Sequence, residues 1–272
     1  MIPKIIHYCW FGGNPIPEKD RKCIESWRKF CPDYKIMQWD ESNYDVTKNK
    51  YMLDAYNSKK WGFVPDYARI DIVYNYGGIY LDTDVEIVRN IDDLLENKAF
   101  MGFEEGKSVN PGVGFGAEKG HVGLKKILEM YESLEFIKKD GTYNLTPSPV
   151  MNSELLKKYG GIMNDKMQEV IGIRLYPSEY LCPMSYTTGV INLTPNTYSI
   201  HHFNMSWVDS NVRKWHLREQ KIARKIGIKT AKKVIRFISF PDRVFNKVKT
   251  LGLNETLKFI ARKTIKDRGV QK

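Results

Sequence analysis

Asp82 and Asp84 stand one residue apart, directly after the apolar run Ile79-Tyr80-Leu81. If a turn follows that run, both carboxylates come near one point. Hard cations such as Mg²⁺ or Mn²⁺ take carboxylate oxygens of this kind together with phosphate oxygens. An ion held there would offset charge on a departing phosphate. An Asp-x-Asp is common in surface turns, so its weight comes from its surroundings. Asp66 and Arg69 lie three apart, a spacing that puts both on one side of a helix. His201 and His202 form a doublet farther along. Imidazole tolerates Mn²⁺ better than Mg²⁺, so a histidine in the site would tilt the choice toward manganese.

The elements that would position these residues can be traced along the chain. Lys4 to Phe11 is a short apolar run closed by Gly12-Gly13, as expected of a buried strand in a parallel sheet. Pro17 suits a first helical position, and Ile24, Trp27 and Phe30 recur at helical spacing until Cys31-Pro32. Tyr34 to Trp39 is strand-like, and strand, helix, strand in this order opens an α/β fold. A second helix is expected from Pro65 to Tyr76, stopped by Gly77-Gly78. The strand Ile79 to Leu81 then delivers the chain into Asp82-Thr83-Asp84, and open α/β sheets bind ligands at the carboxyl ends of their strands. Val85 to Val88 reads as strand, Asp92 to Leu95 as a short helix, and residues 121–138 as helical. Residues 140–195, interrupted by Pro147, Pro149, Pro177, Pro183 and Pro195, read as loops, where recognition residues commonly sit.

At 272 residues and 42% hydrophobic content, the chain can bury one good-sized core and is too apolar to be disordered. The expected division is a catalytic domain, residues 1–210, and a basic tail, residues 211–272. That tail carries 19 Lys and Arg against 4 Asp and Glu, which leaves 24 against 28 in residues 1–210. A nucleic-acid enzyme would line its groove with such charge. A terminal basic segment reads instead as an arm for an anionic membrane surface, and no nucleic-acid partner is expected. Within it Ile222, Ile226, Val234, Ile235 and Ile238 mark one apolar face. Val244, Phe245, Val248 and Leu251 mark a second, and Leu257, Ile260, Ala261 and Ile265 a third. There is no apolar run of roughly eighteen residues and no charged-then-apolar start. The expected location is therefore cytoplasmic, peripheral to the inner face of the cell membrane. Cys9, Cys23, Cys31 and Cys182 show no metal-binding spacing and read as reduced, buried thiols.

Asp66-Tyr67-Ala68-Arg69 and Gly77-Gly78-Ile79-Tyr80-Leu81-Asp82-Thr83-Asp84 together resemble the D-x-x-R…G-G-x-Y-x-D-x-D signature of family 32 glycosyltransferases and of the catalytic domains of large bacterial glucosylating toxins. Ile5-Ile6-His7-Tyr8-Cys9-Trp10-Phe11-Gly12-Gly13 is similar to the I-H-x-x-W-x-G-G first strand of that group. His201-His202-Phe203-Asn204-Met205-Ser206-Trp207 looks like its H-H-x-x-x-S-W closing motif. The resemblance spans residues 2–207 with the blocks in order. It implies a GT-A fold, an α/β Rossmann-like mixed sheet flanked by helices. It also implies a nucleotide-sugar donor, taken here as UDP-linked, a divalent metal (Mn²⁺ or Mg²⁺) and retention of anomeric configuration. Carried over by residue, Trp10 stacks on the donor base, Asp66 and Arg69 contact donor sugar and phosphate, Asp82 touches sugar or ribose, and Asp84 binds the metal. His202, ahead of His201, is the further metal ligand. Asn110 to Gly116 would pack backbone against the sugar. The chain departs from the family at Leu145-Thr146-Pro147-Ser148-Pro149, where many members carry T-G-P, a difference on the acceptor side. No carboxylate stands out as a nucleophile, which favours a same-face mechanism.

The resulting expectation is transfer of a hexose or N-acetylhexosamine to a lipid-linked or oligosaccharide acceptor in capsule or other surface-polysaccharide synthesis. A metal-dependent phosphohydrolase or nuclease would also use paired aspartates, though two-metal chemistry wants more carboxylates than appear here. A basic lipid- or RNA-binding module is the third alternative.

Overall fold

The computed structural model describes residues 1–205, 208, 210–242, 245 and 248. The chain divides into two compact units, Met1–Val208 and the segment from Asp209 onward. The first contains β1 (Ile5–Cys9), α1 (Glu18–Phe30), β2 (Lys35–Trp39), α2 (Lys50–Asn57), α3 (Pro65–Tyr76), β3 (Gly78–Tyr80), β4 (Val85–Ile87), β5 (Ala99–Glu104) and β6 (Ser108–Ala117). It continues with α4 (Val122–Glu132), α5 (Ser148–Lys158), β7 (Gln168–Val170), β8 (Ile173–Tyr176), α6 (Ser178–Leu181) and β9 (Ser199–His201). Seven strands form one sheet in the order β2-β1-β3-β6-β5-β8-β7, and β4 pairs with β9 separately. β1 is parallel to β2 and β3, while β6 is antiparallel to β3 and β5. This is the expected α/β class, a mixed sheet flanked by helices.

Alternation along the strands divides the core. Tyr80 lies with Met101 and Phe115 in a cluster completed by residues of α2, α3 and α4. Its neighbours Ile79 and Leu81 join Ile6, Tyr8 and the α1 residues Ile24 and Trp27 in a second cluster. His7 ties the central strands together. Trp39 donates its indole N–H to His7 Nδ1 at 3.1 Å, and His7 Nε2 donates to Gly77 O at 2.9 Å. Burial lowers its pKa to about 4, so the ring is neutral and this tautomer serves both bonds. The histidine of the first motif is thus a clamp between β1, β2 and the turn into β3. That turn requires glycine: Gly78 has φ +105°, and a Cβ there would lie 2.7 Å from Ile5 O.

Two stretches differ from expectation. α4 stops at Glu132, and the chain then turns so that Phe136 enters the core and Ile137 bridges Tyr143. Residues 140–195 are not all loop, since they hold α5, β7, β8 and α6. Pro149 falls in the first turn of α5, where backbone N–H groups have no helical partner and proline costs nothing. α2, which shows no strong sequence signal, is capped by Asn49, whose side chain accepts from Met52 N–H.

In the second unit α7 (Ser210–Ile226) and α8 (Ile228–Ile238) pack on each other around Gly227, at φ +79°. Ala223, Ala231 and Ile235 are buried. The apolar face anticipated there is therefore partly buried: Ile235 is enclosed, Ile222 and Val234 are half-buried, and Ile226 and Ile238 are exposed. Phe237, Phe240 and Phe245 are turned outward, 82%, 52% and 70% exposed. Ser206, Trp207 and the remaining anticipated tail positions, Val244, Leu251, Leu257, Ile260, Ala261 and Ile265, lie outside the described residues. Among the described residues no helix is long and apolar enough to cross a membrane.

Candidate functional site

The turn after β3 brings the paired aspartates together. Leu81 N–H donates to His7 O, Asp82 N–H to Gly112 O, and Val85 N–H back to Asp82 O at 3.0 Å, closing a four-residue turn. The β4–β9 register then sets Val85 opposite His201. His201 Nε2 comes to 3.2 Å from Asp84 Oδ1, and one ligand atom each from Asp82, Asp84 and His201 lie within 4.8 Å of one another. Burial alone would lower the His201 pKa, but the Asp84 carboxylate beside it holds it well above the ordinary value. Burial likewise pushes the Asp84 carboxyl up, yet His201 and the Asn204 N–H, 2.7 Å from Oδ2, hold it below the usual range. Two carboxylates and an imidazole converging in this way fit a divalent cation such as Mn²⁺.

α3 supplies a second group of charges. Arg69, 5% exposed, donates from Nη2 to Asp66 and from Nε to Pro65 O at 3.2 Å, and its Nη1 reaches Asp82 Oδ1 at 3.5 Å. Tyr80 donates its hydroxyl to the same Oδ1 at 3.0 Å. Burial pushes the Asp66 carboxyl up to about 7 against the pull of Arg69, and burial raises Asp82 in the same way. The stretch anticipated as a glycine-rich wall is β6. A Cβ on its Gly112 would lie 2.3 Å from Asp82 Oδ2, 3.0 Å from Arg69 Nη1 and 3.1 Å from Asn110 Oδ1. Asn110 Oδ1 accepts from Gly112 N–H at 2.7 Å, and Asn110 Nδ2 donates to Glu104 Oε2 at 2.8 Å. Glycine here leaves a small hollow bordered by a carboxylate, a guanidinium and an amide.

The two histidines separate. Neighbours in an extended segment project to opposite sides. His201 faces Asp84, whereas His202, the ring favoured by the motif, has its Nε2 2.7 Å from Glu86 Oε2. Trp10 sits one residue beyond β1, the strand beside β3. It is half-buried, belongs to neither core cluster, and donates its indole N–H to Asn14 O at 2.5 Å. Asp20 and Glu104 lie outside every motif block. Asp20 did carry a signal, because it shares the helical stripe of Ile24 and Trp27.

Residues 17–101, which include both aspartates, match the glycosyltransferase sugar-binding region containing DXD motif. It is 36% identical over 135 residues, 47% of this chain and 36% of the relative, to inositol phosphoceramide mannosyltransferase 3 of Schizosaccharomyces pombe. Against mannosyl phosphorylinositol ceramide synthase SUR1 of Saccharomyces cerevisiae the identity is 26% over 232 residues, 83% of this chain and 55% of the relative. The matches thus span from about a third to just over half of these relatives' lengths. Among solved structures, PaToxG glycosyltransferase aligns over 58% of this chain and 68% of that chain, with TM-score 0.44 and 17% identity.

Proposed function

We propose that the protein transfers a hexose from a nucleotide sugar, UDP-linked in the simplest reading, to a lipid-linked or oligosaccharide acceptor of a surface glycan, with retention of configuration. The observation that carries this reading is the convergence of Asp82, Asp84 and His201 at the carboxyl end of β3, beside the Arg69–Asp66 pair. Asp84 and His201 would hold Mn²⁺ or Mg²⁺, with Asp82 at its edge, and the ion supplies charge compensation for the departing diphosphate. Arg69, buried and oriented by Asp66 and Pro65 O, presents a fixed cation toward the donor side. Asp82 Oδ2 is the oxygen that faces the hollow over Gly112, since Oδ1 takes the Tyr80 hydroxyl, and it would accept from a donor hydroxyl. Trp10 would stack on the base. In the same-face mechanism the bond from the anomeric carbon to phosphate oxygen breaks as the acceptor oxygen bonds on that face, and the acceptor's proton passes to the phosphate.

The two yeast relatives, an inositol phosphoceramide mannosyltransferase and a mannosyl phosphorylinositol ceramide synthase, support a hexose donor and a lipid-borne acceptor. The second unit supports the same acceptor class. Between residues 210 and 242 it carries ten Lys and Arg against Glu219 and Asp242, together with the outward Phe237 and Phe240. Such a surface suits peripheral attachment to an anionic bilayer, on the inner face of the cell membrane. A phosphohydrolase with two metals is disfavoured, because among the described residues one cluster of three ligands is present and it holds two carboxylates.

Asp84→Asn tests the core of the proposal, since an amide is a far poorer ligand for a hard cation. Calorimetry with UDP and Mn²⁺ should show metal-dependent nucleotide binding in the natural protein and none in a folded variant. Mass spectrometry with UDP- and GDP-sugars should detect slow donor hydrolysis. Unchanged metal-dependent binding by Asp84→Asn would remove the assignment.

A further inference from the structure

Asp20 is a carboxylate where an apolar residue is expected. It lies on the inward stripe of α1 with Ile24 and Trp27 and is 1% exposed. Burying a carboxylate is costly unless hydrogen bonds satisfy it. Here two of its bonds come from segments remote in sequence that both belong to the cation site. Thr83, the middle residue of Asp82-Thr83-Asp84, donates its hydroxyl to Asp20 Oδ2 at 3.1 Å, and Asn204 Nδ2 donates to Oδ1 at 2.7 Å.

The second segment needs such a tie. The β4–β9 ladder ends at Val85 and His201, and beyond it the backbone enters the left-handed region at Phe203, φ +50°, and at Met205, φ +51°, without a glycine. Such residues persist where their surroundings over-determine them. Asn204 lies between the two, and its backbone N–H meets Asp84 Oδ2 at 2.7 Å. With Oδ2 engaged in this way, Oδ1 is the oxygen directed at His201 Nε2, 3.2 Å away.

We infer that Asp20 is a positioning residue for the cation site, latching the Asp82–Asp84 turn to the strap that follows His201 and thereby setting which Asp84 oxygen faces the ion. The inference rests on the proposed metal role of Asp84 and His201. Outer-shell partners of ligands of this kind typically change metal affinity by about 10–100-fold when removed.

The test uses the full chain, with Mn²⁺ affinity measured by electron paramagnetic resonance and thermal unfolding measured in chelator. Asp20→Leu extends the apolar stripe, so the fold should melt near or above the natural temperature while Mn²⁺ affinity falls by about 10-fold or more. Asp20→Asn can accept from Asn204 through its oxygen and donate to Thr83 through its nitrogen, so it should bind Mn²⁺ nearly as the natural protein does. Asn204→Ala, which leaves α1 intact, should lose affinity as Asp20→Leu does, and it decides the question if Asp20→Leu does not fold. Natural affinity in Asp20→Leu or Asn204→Ala overturns the latch. So does an equal loss in Asp20→Asn, which would assign the effect to charge instead of hydrogen bonding. If the natural protein binds no Mn²⁺, or if Asp84→Asn binds it unchanged, the metal-site reading itself falls, and the latch with it.

Discussion

Replacing Gly112 by alanine should damage the proposed donor site out of proportion to the size of a methyl group. The added carbon would stand 2.3 Å from Asp82 Oδ2, about 1 Å inside ordinary contact, and also within 3.0 Å of Arg69 Nη1. Asp82 cannot simply rotate away, because Oδ1 is held by the Tyr80 hydroxyl and approached by Arg69. β6 cannot easily withdraw, being paired to β3 on one side and β5 on the other. Overpacking of this kind costs about 1–3 kcal/mol of stability. A displacement of about 1 Å among groups that orient a substrate costs on the order of 100-fold in rate, or about 2.7 kcal/mol of transition-state stabilisation. The assay is kcat/KM for donor hydrolysis alongside thermal unfolding. Gly123→Ala is the control, since its Cβ would meet Ile173 at 2.7 Å in α4, away from the aspartates. It should lose stability and keep kcat/KM. The reasoning is refuted if Gly112→Ala retains natural kcat/KM, or if Gly123→Ala loses as much activity as Gly112→Ala does.

Other variants separate individual roles. His201→Ala should reduce Mn²⁺ affinity by more than about 10-fold while His202→Ala leaves it nearly unchanged, and the opposite ranking in a Mn²⁺ titration would restore the doublet's second ring as the ligand. Trp10→Ala should weaken UDP binding by about 1–3 kcal/mol in calorimetry, on the scale of base stacking, whereas unaltered affinity would make Trp10 a rim packing residue. Phe237→Ser with Phe240→Ser should weaken flotation on anionic vesicles by roughly 100-fold, as loss of two partly inserted aromatic rings requires. Flotation of the natural protein should fade at high salt, while preference for RNA over vesicles would refute the membrane reading.

How far the site could be read in advance depended on the range of the interaction that builds each part. α3 was legible to the residue, because Pro65 starts it and Gly77 stops it, and both signals are local. The same holds for Asp82 and Asp84, whose convergence follows from one strand and one turn. α5 was hidden because Pro147 and Pro149 read as loop when Pro149 in fact occupies a tolerant first turn. The ranking of the histidines depended on the register of β4 against β9, which no local pattern contains. Asp20 is the intermediate case. An acid on the stripe of Ile24 and Trp27 announces that something must satisfy it, but its partners Thr83 and Asn204 come from the turn after β3 and the strap after β9. A motif therefore marks which residues meet, while the choice of ring and of carboxylate oxygen is made by long-range pairing. A variant that disturbs β9 or α1 should accordingly alter metal binding without touching a ligand.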